Sequence, residues 1–304
     1  MDGLTEKIGN VTLNYKFYKG TDTYSDGDIE DKLLDIVKNE KDIQGRLKKE
    51  KEWPLLYHLS DVRKNVLNWY DFKKEGSLLE IGAGCGAISG LFCERVSRVA
   101  AIDLSKRRST INAYRNKEHD NLEIYVGNFE DIQLEEKFDY VSLIGVLEYS
   151  IYYIDSDQPF LDMLKKAKSY LKPGGKLLVA IENKYGLKYW AGAKEDHTGE
   201  MFDSITGYAN VERVRTFSKD QLYKLVEEAG FVHQDFYYPM PDYKLPFEVY
   251  SQEYLPKSCS DTMIGYTYDR DKLQLFDEKQ AWDSICKDGK FEEFANSFIV
   301  IAES

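Results

Sequence analysis

Residues 78–90 read LLEIGAGCGAISG. An apolar run meets Glu80 near its end, and three glycines, Gly82, Gly84 and Gly86, then alternate. A strand, a glycine turn and a helix in that order put free backbone N–H groups and the positive helix end at the carboxyl edge of a strand. Glycines there let a ligand come close to the backbone.

Working outward, the same unit recurs. VSRVAAIDLS closes its apolar run on Asp103, and NLEIYVGNFED, FDYVSLIGVLEY and GGKLLVAIEN follow as further runs. Between them lie the helical stretches AISGLFCERV, KRRSTINAYRN and QPFLDMLKKAKSYL. Apolar runs alternating with helices predict a mostly parallel sheet covered on both faces. FSKDQLYKLVEEAGF predicts a helix with Ser218 as N-cap and Gly230 beyond its end. VHQDFYYPM and FANSFIVIAE read as two more strands. Upstream, VTLNYKFY reads as a strand or hairpin arm, TDTYSDGD as a turn, and residues 29–50 as a helix. PLLYHLSDVRKNVLNWYDF reads as one further helix, from its apolar residues at three- to four-residue steps.

Composition narrows the function. Acidic residues outnumber basic ones, 53 to 41, for a net charge of −12. Nucleic-acid binders gain affinity from clustered positive charge, and no dense basic stripe occurs. Four cysteines without CxxC or paired histidine spacing argue against structural zinc, and no metal is expected. The first residues, MDGLTEKIGN, hold no apolar stretch, and no run reaches the roughly 20 apolar residues of a membrane span. A cytoplasmic protein is expected. The 23 tyrosines point to polar-tipped aromatic surfaces.

The glycine loop fits two ligands. Gly82-x-Gly84-x-x-Ala87 satisfies a loose dinucleotide fingerprint, and Asp103, 21 residues past Gly82, suits the ribose diol of any adenosine ligand. Glu80 favours the second ligand: a carboxylate repels a pyrophosphate but suits a cationic sulfonium bearing an ammonium group.

EIGAGCG, the strand-end Asp103, VGNFED, FDYVSLIGVLEY, LKPGGKLLV and FSKDQLYKLVEEAGF resemble, in order, the motifs of class I S-adenosylmethionine-dependent methyltransferases. The resemblance covers roughly residues 54–235 and the last strand. It implies a Rossmann-like, doubly wound α/β fold: a mostly parallel seven-stranded sheet with an antiparallel last strand, plus N-terminal and C-terminal lid insertions. The expected division is a cap over 1–53 and a methyltransferase domain over 54–304, with lids at 183–216 and 239–290. YKFYKGTDTYSDGD, IENKYGLKYWAGAKEDHTGE and YYPMPDYKLP resemble a bacterial subgroup found beside or fused to glycosyltransferases, which implies such an enzyme as a partner.

The resemblance places the methionine moiety and ribose of S-adenosylmethionine against Glu80, Gly82, Ala83 and Gly84, with Gly86 serving helix packing. It places the ribose diol on Asp103, Leu104 beside the adenine, and the adenine edge on Asn128 and Phe129. The family usually has Asp where this chain has Asn128, whose amide oxygen can still accept a hydrogen bond. Gly145 and Val146 meet the methionine ammonium, with Glu148 and Tyr149 at the pocket mouth.

Methyl transfer to a hydroxyl needs the acceptor oriented and its proton removed. Of the four histidines, His197 in KEDHTGE follows the fifth run, at the edge where open parallel sheets bind ligands. It is the expected base, supported by Glu182, Asn183 and Tyr185. His58 precedes the glycine loop, His119 lies in a charged loop, and His233 opens a strand. Tyrosines and Trp190 in the lids suit sugar rings, so the reading is O-methylation of a sugar, nucleotide sugar or surface glycan. The alternatives are N- or C-methylation of a small secondary metabolite, and a non-catalytic cofactor-binding partner of a glycosyltransferase.

Overall fold

The computed structural model describes residues 4–22, 27–50, 52–209, 214–264 and 271–304. Part of the expected turn (23–26) and parts of the expected lids (210–213 and 265–270) lie outside the described residues. The chain divides into two compact units, Met1–Leu143 with Tyr170–Lys176, and Ile144–Ser169 with Leu177–Ser304.

The first unit is built on β1 (Thr5–Ile8), β2 (Val11–Asn14), β3 (Ser77–Ile81), β4 (Arg98–Asp103), β5 (Leu122–Val126) and β6 (Phe138–Ile144, whose last residue belongs to the second unit). Their order is β1-β2-β5-β4-β3-β6. All pairings are parallel except the β1–β2 hairpin. Every residue of β3 is buried, as a central strand covered on both faces requires. The N-terminal hairpin extends the sheet: β2 pairs with β5 and turns Val11 and Leu13 to the core.

Leu33, Ile36 and Val37 of the helix Ile29–Asn39 pack with Leu55, Leu59, Cys85 and Ile111 in one apolar cluster. The helix expected over 54–72 breaks. It runs only from Trp53 to Leu59, then Ser60 turns to ψ 134° and a 3-10 helix covers Asp61–Val66. Ser60 Oγ accepts the Val62 N–H at 3.2 Å, the local bond by which serine competes with a continuing helix.

The second unit is built on β7 (Leu171–Glu182, the first six residues lying in the first unit), β8 (His233–Met240), β9 (Glu248–Ser251) and β10 (Ser297–Glu303), in the order β7-β10-β8-β9. β8 is antiparallel to both β10 and β9. The helix Lys219–Glu228 starts as the sequence predicts, with Ser218 and Gln221 forming a reciprocal capping box, and Gly230 follows it at φ 94°. The Rossmann-like α/β class is thus observed, with ten strands among the described residues rather than seven. No helix among the described residues is long and apolar enough to cross a membrane.

Candidate active site

The first unit gathers a loop around the ends of β3 and β4. Gly82, Gly84 and Gly86 all have positive φ, 71°, 52° and 74°. The N–H groups of Gly82 and Ala83 both donate to the carbonyl of Ile102, at 2.9 and 3.0 Å, which pins the turn to β4. Asp103, buried at the end of β4, accepts the Gly84 N–H on Oδ2 (2.7 Å) and the Ser105 N–H on Oδ1 (2.9 Å). Each carboxylate oxygen keeps a lone pair.

Glu80 is buried behind this loop. Its Oε2 accepts the Ser89 hydroxyl at 2.5 Å, and Ser89 in turn accepts Asn112 Nδ2 at 2.9 Å. Burial pushes the Glu80 carboxyl up to about 8, and the Asp103 charge adds to the rise. The Arg108 guanidinium lies over Gly84, so a Cβ at Gly84 would sit 2.8 Å from Nη2.

On the neighbouring strand ends, Asn128 Oδ1 accepts the Glu130 N–H at 3.1 Å, the local bond of an Asx turn. Phe129 is buried with its ring 5.9 Å from that of Tyr170. Leu104 is half-buried between Asp103 and Ser105.

Asp22 is the residue of this region that the sequence reading passes over. Its carboxylate accepts from Ser105 Oγ (2.9 Å), Lys106 N (2.9 Å) and Arg107 N (3.1 Å), covering the start of the helix Lys106–Arg115. Acidic residues in TDTYSDGD were the available signal, but turn chemistry explained them locally. His58 is buried at the end of its helix, edge-on to Tyr57, and its carbonyl accepts from Arg115. His119 lines a polar cleft of about 350 Å³ with Lys41, Asp61, Glu94 and Arg115. His233 is largely exposed, 3.2 Å from Asp235.

The second unit holds a buried ionisable cluster. Asn183 fixes the end of β7: its N–H donates to the Asn296 carbonyl (3.0 Å), and its Nδ2 donates to the carbonyls of Glu293 and Ala295 (both 2.8 Å). That anchor holds Glu182, 0% exposed, at the strand's carboxyl edge. Gly145, at φ 69°, donates its N–H to the Ala180 carbonyl at 2.9 Å; Val146 and the buried Glu148 follow.

His197 Nε2 faces Glu148 Oε1 at 3.7 Å and Glu182 Oε2 at 3.8 Å. Its Nδ1 lies 3.0 Å from Glu195 Oε1, while Glu195 Oε2 accepts the N–H groups of His197 and Thr198 at 2.7 and 2.6 Å. Burial alone would depress the His197 imidazolium, but Glu182, Glu148 and Glu195 together hold it well above its ordinary range. Burial raises the Glu148 carboxyl, and Glu182 adds to the rise.

Beside them Lys244 pairs with Glu182 and with Asp196 (3.1 Å), and Lys188 pairs with Asp196 at 2.7 Å. Burial opposes the charge of Lys244, yet Asp196, Glu182 and Asp242 hold it well above the usual lysine range. Two phenols join this cluster: Tyr208, whose hydroxyl lies 3.3 Å from Glu195 and 2.7 Å from Thr216, and the buried Tyr189, whose hydroxyl donates to Asp196. The expected Tyr185 is instead 38% exposed, with Lys184 over its ring.

The structure therefore joins His197 to Glu182 and Glu148, and leaves Tyr185 at the surface. Sequence reasoning missed Glu195 and Lys244. The first stood two residues from the chosen histidine in KEDHTGE, and the second 47 residues beyond it.

Residues 55–234, more than half of the chain, match the model of a family described as a methyltransferase domain. The chain belongs to that methyltransferase family. An uncharacterized methyltransferase of Staphylococcus carnosus is 32% identical over 114 residues, 38% of this chain and 51% of the relative. A malonyl-[acyl-carrier protein] O-methyltransferase of Priestia megaterium is 28% identical over 116 residues, 38% of this chain and 39% of the relative. The chain thus spans about half or less of the length of these curated relatives. A solved methyltransferase from Thermotoga maritima, 19% identical, covers 86% of this chain and 97% of its own, with a TM-score of 0.47.

The cofactor of this methyltransferase is S-adenosylmethionine, and the residues of the first unit fit it. Asp103 has oxygen lone pairs for a ribose diol, the glycine turn offers close backbone approach, and Arg108 brings a cation to the loop for a carboxylate.

Proposed function

We propose that the protein transfers a methyl group from S-adenosylmethionine to a hydroxyl of a sugar, nucleotide sugar or surface-glycan acceptor in bacterial carbohydrate biosynthesis. Bound S-adenosylmethionine supplies a methyl group that is already activated, which leaves the chain to orient the acceptor and handle its proton. Glu80, Gly82, Ala83, Gly84, Asp103, Leu104, Asn128 and Phe129 are the proposed cofactor contacts of the first unit.

The observation that carries the oxygen-acceptor reading is the buried cluster at the end of β7. Glu182, Glu148 and His197 converge, with the imidazole oriented by Glu195. Such a set can hold a hydroxyl and pass its proton to a carboxylate, since Glu182, Glu148 and Glu195 keep the imidazole of His197 charged. Support for a sugar comes from the same unit, where Tyr185 and Trp190 (40% exposed) present aromatic rings on segment 183–216, the proposed lid with 239–290. A glycosyltransferase partner belongs to the same proposal.

The test is incubation with S-adenosylmethionine and a panel of sugar nucleotides and glycans, read by product mass and linkage. A methyl ether on a sugar oxygen is expected. A product methylated on nitrogen or carbon, or none with any sugar, would overturn the acceptor assignment. His197→Ala should lose turnover while keeping affinity for S-adenosylhomocysteine; full turnover would remove His197 from the site.

A further inference from the structure

The geometry around His197 points to a divalent-cation site. We propose that Glu148, Glu182 and His197 bind one first-row divalent ion, of the Mn²⁺ or Zn²⁺ class, through two carboxylates and one imidazole nitrogen. One ligand atom from each of the three lies within 4.8 Å of the others.

Three observations carry this. First, the Nδ1–H of His197 is taken by Glu195, which leaves Nε2 facing Glu148 and Glu182. A lone pair at Nε2 would point at two carboxylates with nothing positive between them. An N–H there would sit 3.7 and 3.8 Å from its acceptors, beyond hydrogen-bond range. A small cation between the three groups resolves both difficulties.

Second, Oε2 of Glu148 and Oε2 of Glu182 are buried without a hydrogen-bond partner, and Glu182 Oε2 is the atom that faces His197. Unmet buried carboxylate oxygens are costly and ask for a ligand.

Third, the Glu195–His197 bond is the outer-sphere arrangement that fixes the tautomer of a metal-bound histidine. Glu195 is itself locked by two backbone N–H groups, so the ring is held before any ion arrives.

Ligand atoms around an ion at bonds of about 2.1 Å lie about 3.0–3.4 Å apart. The two imidazole–carboxylate pairs, at 3.7 and 3.8 Å, need to close by less than about 1 Å, and the widest pair, within 4.8 Å, by up to roughly 2 Å. Mixed oxygen and imidazole donors suit Mn²⁺ or Zn²⁺ better than Ca²⁺. On the methyl-transfer reading such an ion would also acidify a bound hydroxyl. Binding itself does not depend on that reading and is measured without cofactor or acceptor.

The experiment uses the full chain freed of metal by chelation, titrated with Mn²⁺ by electron paramagnetic resonance and with Zn²⁺ by calorimetry. One saturable site per chain is expected for at least one of the two ions, together with a rise in Tm on its addition. His197→Ala and Glu182→Gln should each weaken it at least 10-fold, and Glu195→Gln by roughly 10- to 100-fold through the loosened ring. Absence of saturable binding of both ions to the unsubstituted chain would overturn the proposal. So would unchanged affinity in the folded His197→Ala and Glu182→Gln variants. Should those variants fail to fold, the isosteric Glu148→Gln decides: a metal-induced Tm rise equal to that of the unsubstituted chain overturns the site.

Discussion

Asp103 Oδ2 accepts the backbone N–H of Gly84 at 2.7 Å, so the carboxylate at the end of β4 holds the turn after β3 in place. One side chain thus shapes the glycine loop and, on the proposed reading, would offer its remaining lone pairs to a ribose. Removing it should cost both functions. Asp103→Ala and Asp103→Asn are expected to weaken S-adenosylhomocysteine at least 10- to 100-fold, the equivalent of about 1.5–3 kcal/mol for hydrogen bonds to a charged group. Calorimetric titration reads this directly. Equal affinity in both variants would remove Asp103 from the cofactor site.

Glu80 makes stability depend on pH in an unusual direction. Its carboxyl is held at about 8 in the folded chain against 4.5 unperturbed, so between these values the native state binds more protons than the unfolded one. Stability then falls as pH rises from about 4.5 to about 8, by up to roughly 1.4 kcal/mol per pH unit, and this contribution levels off above. Glu80→Gln keeps the shape, can still accept from Ser89, and carries no charge to desolvate. It is expected to melt higher than the parent at pH 8 and to match it more nearly at pH 5. A parent advantage that grows with pH would contradict the assignment.

Asp22 reaches from the N-terminal segment to three donors at the start of the helix Lys106–Arg115. Asp22→Ala leaves those donors to water and should cost about 1 kcal/mol, as loss of a helix cap does. The same change releases Ser105, which lies next to the Asp103 turn. Urea unfolding measures the first effect. A several-fold loss of cofactor affinity is the second expectation, and an unchanged affinity would separate Asp22 from the site.

The mostly parallel α/β sheet was legible because five apolar runs alternate with helical stretches, and one helix because Ser218 and Gly230 mark its ends. Other features depend on partners far along the chain. The helix break at Ser60 follows from one local hydroxyl bond that apolar spacing overrode in the reading. The hairpin at 5–14 joins the sheet only through β5, more than a hundred residues later. At the site, Glu182 and His197 were readable from their place after the fifth run. Lys244 was not, since a lone lysine carries no periodic signal and pairs with Glu182 only once residue 244 is folded back. Tyr185 was chosen by proximity in sequence to Glu182, but its backbone N–H donates to Asn183 Oδ1 while its ring is left more than a third exposed.

Gly86 tests the packing behind the glycine loop. A Cβ there would lie 2.4 Å from Asn112 Oδ1 and 2.8 Å from Asn116 Nδ2. Neither side chain is free to withdraw, because Asn112 donates to Ser89 and accepts from Asn116. Gly174 is the matched control: its φ of 71° is close to the 74° of Gly86, but nothing lies within 4 Å of its Cβ position. Gly174→Ala should therefore cost only the left-handed backbone, about 1–2 kcal/mol. Gly86→Ala carries the same strain plus overpacking of about 1–3 kcal/mol. It should also disturb the Ser89 bond to Glu80, and with it the pH dependence described above. Chemical denaturation of the two variants side by side gives the difference. Equal losses would mean that the helix 106–115 yields to the added methyl group, and that Gly86 is needed for its backbone conformation alone.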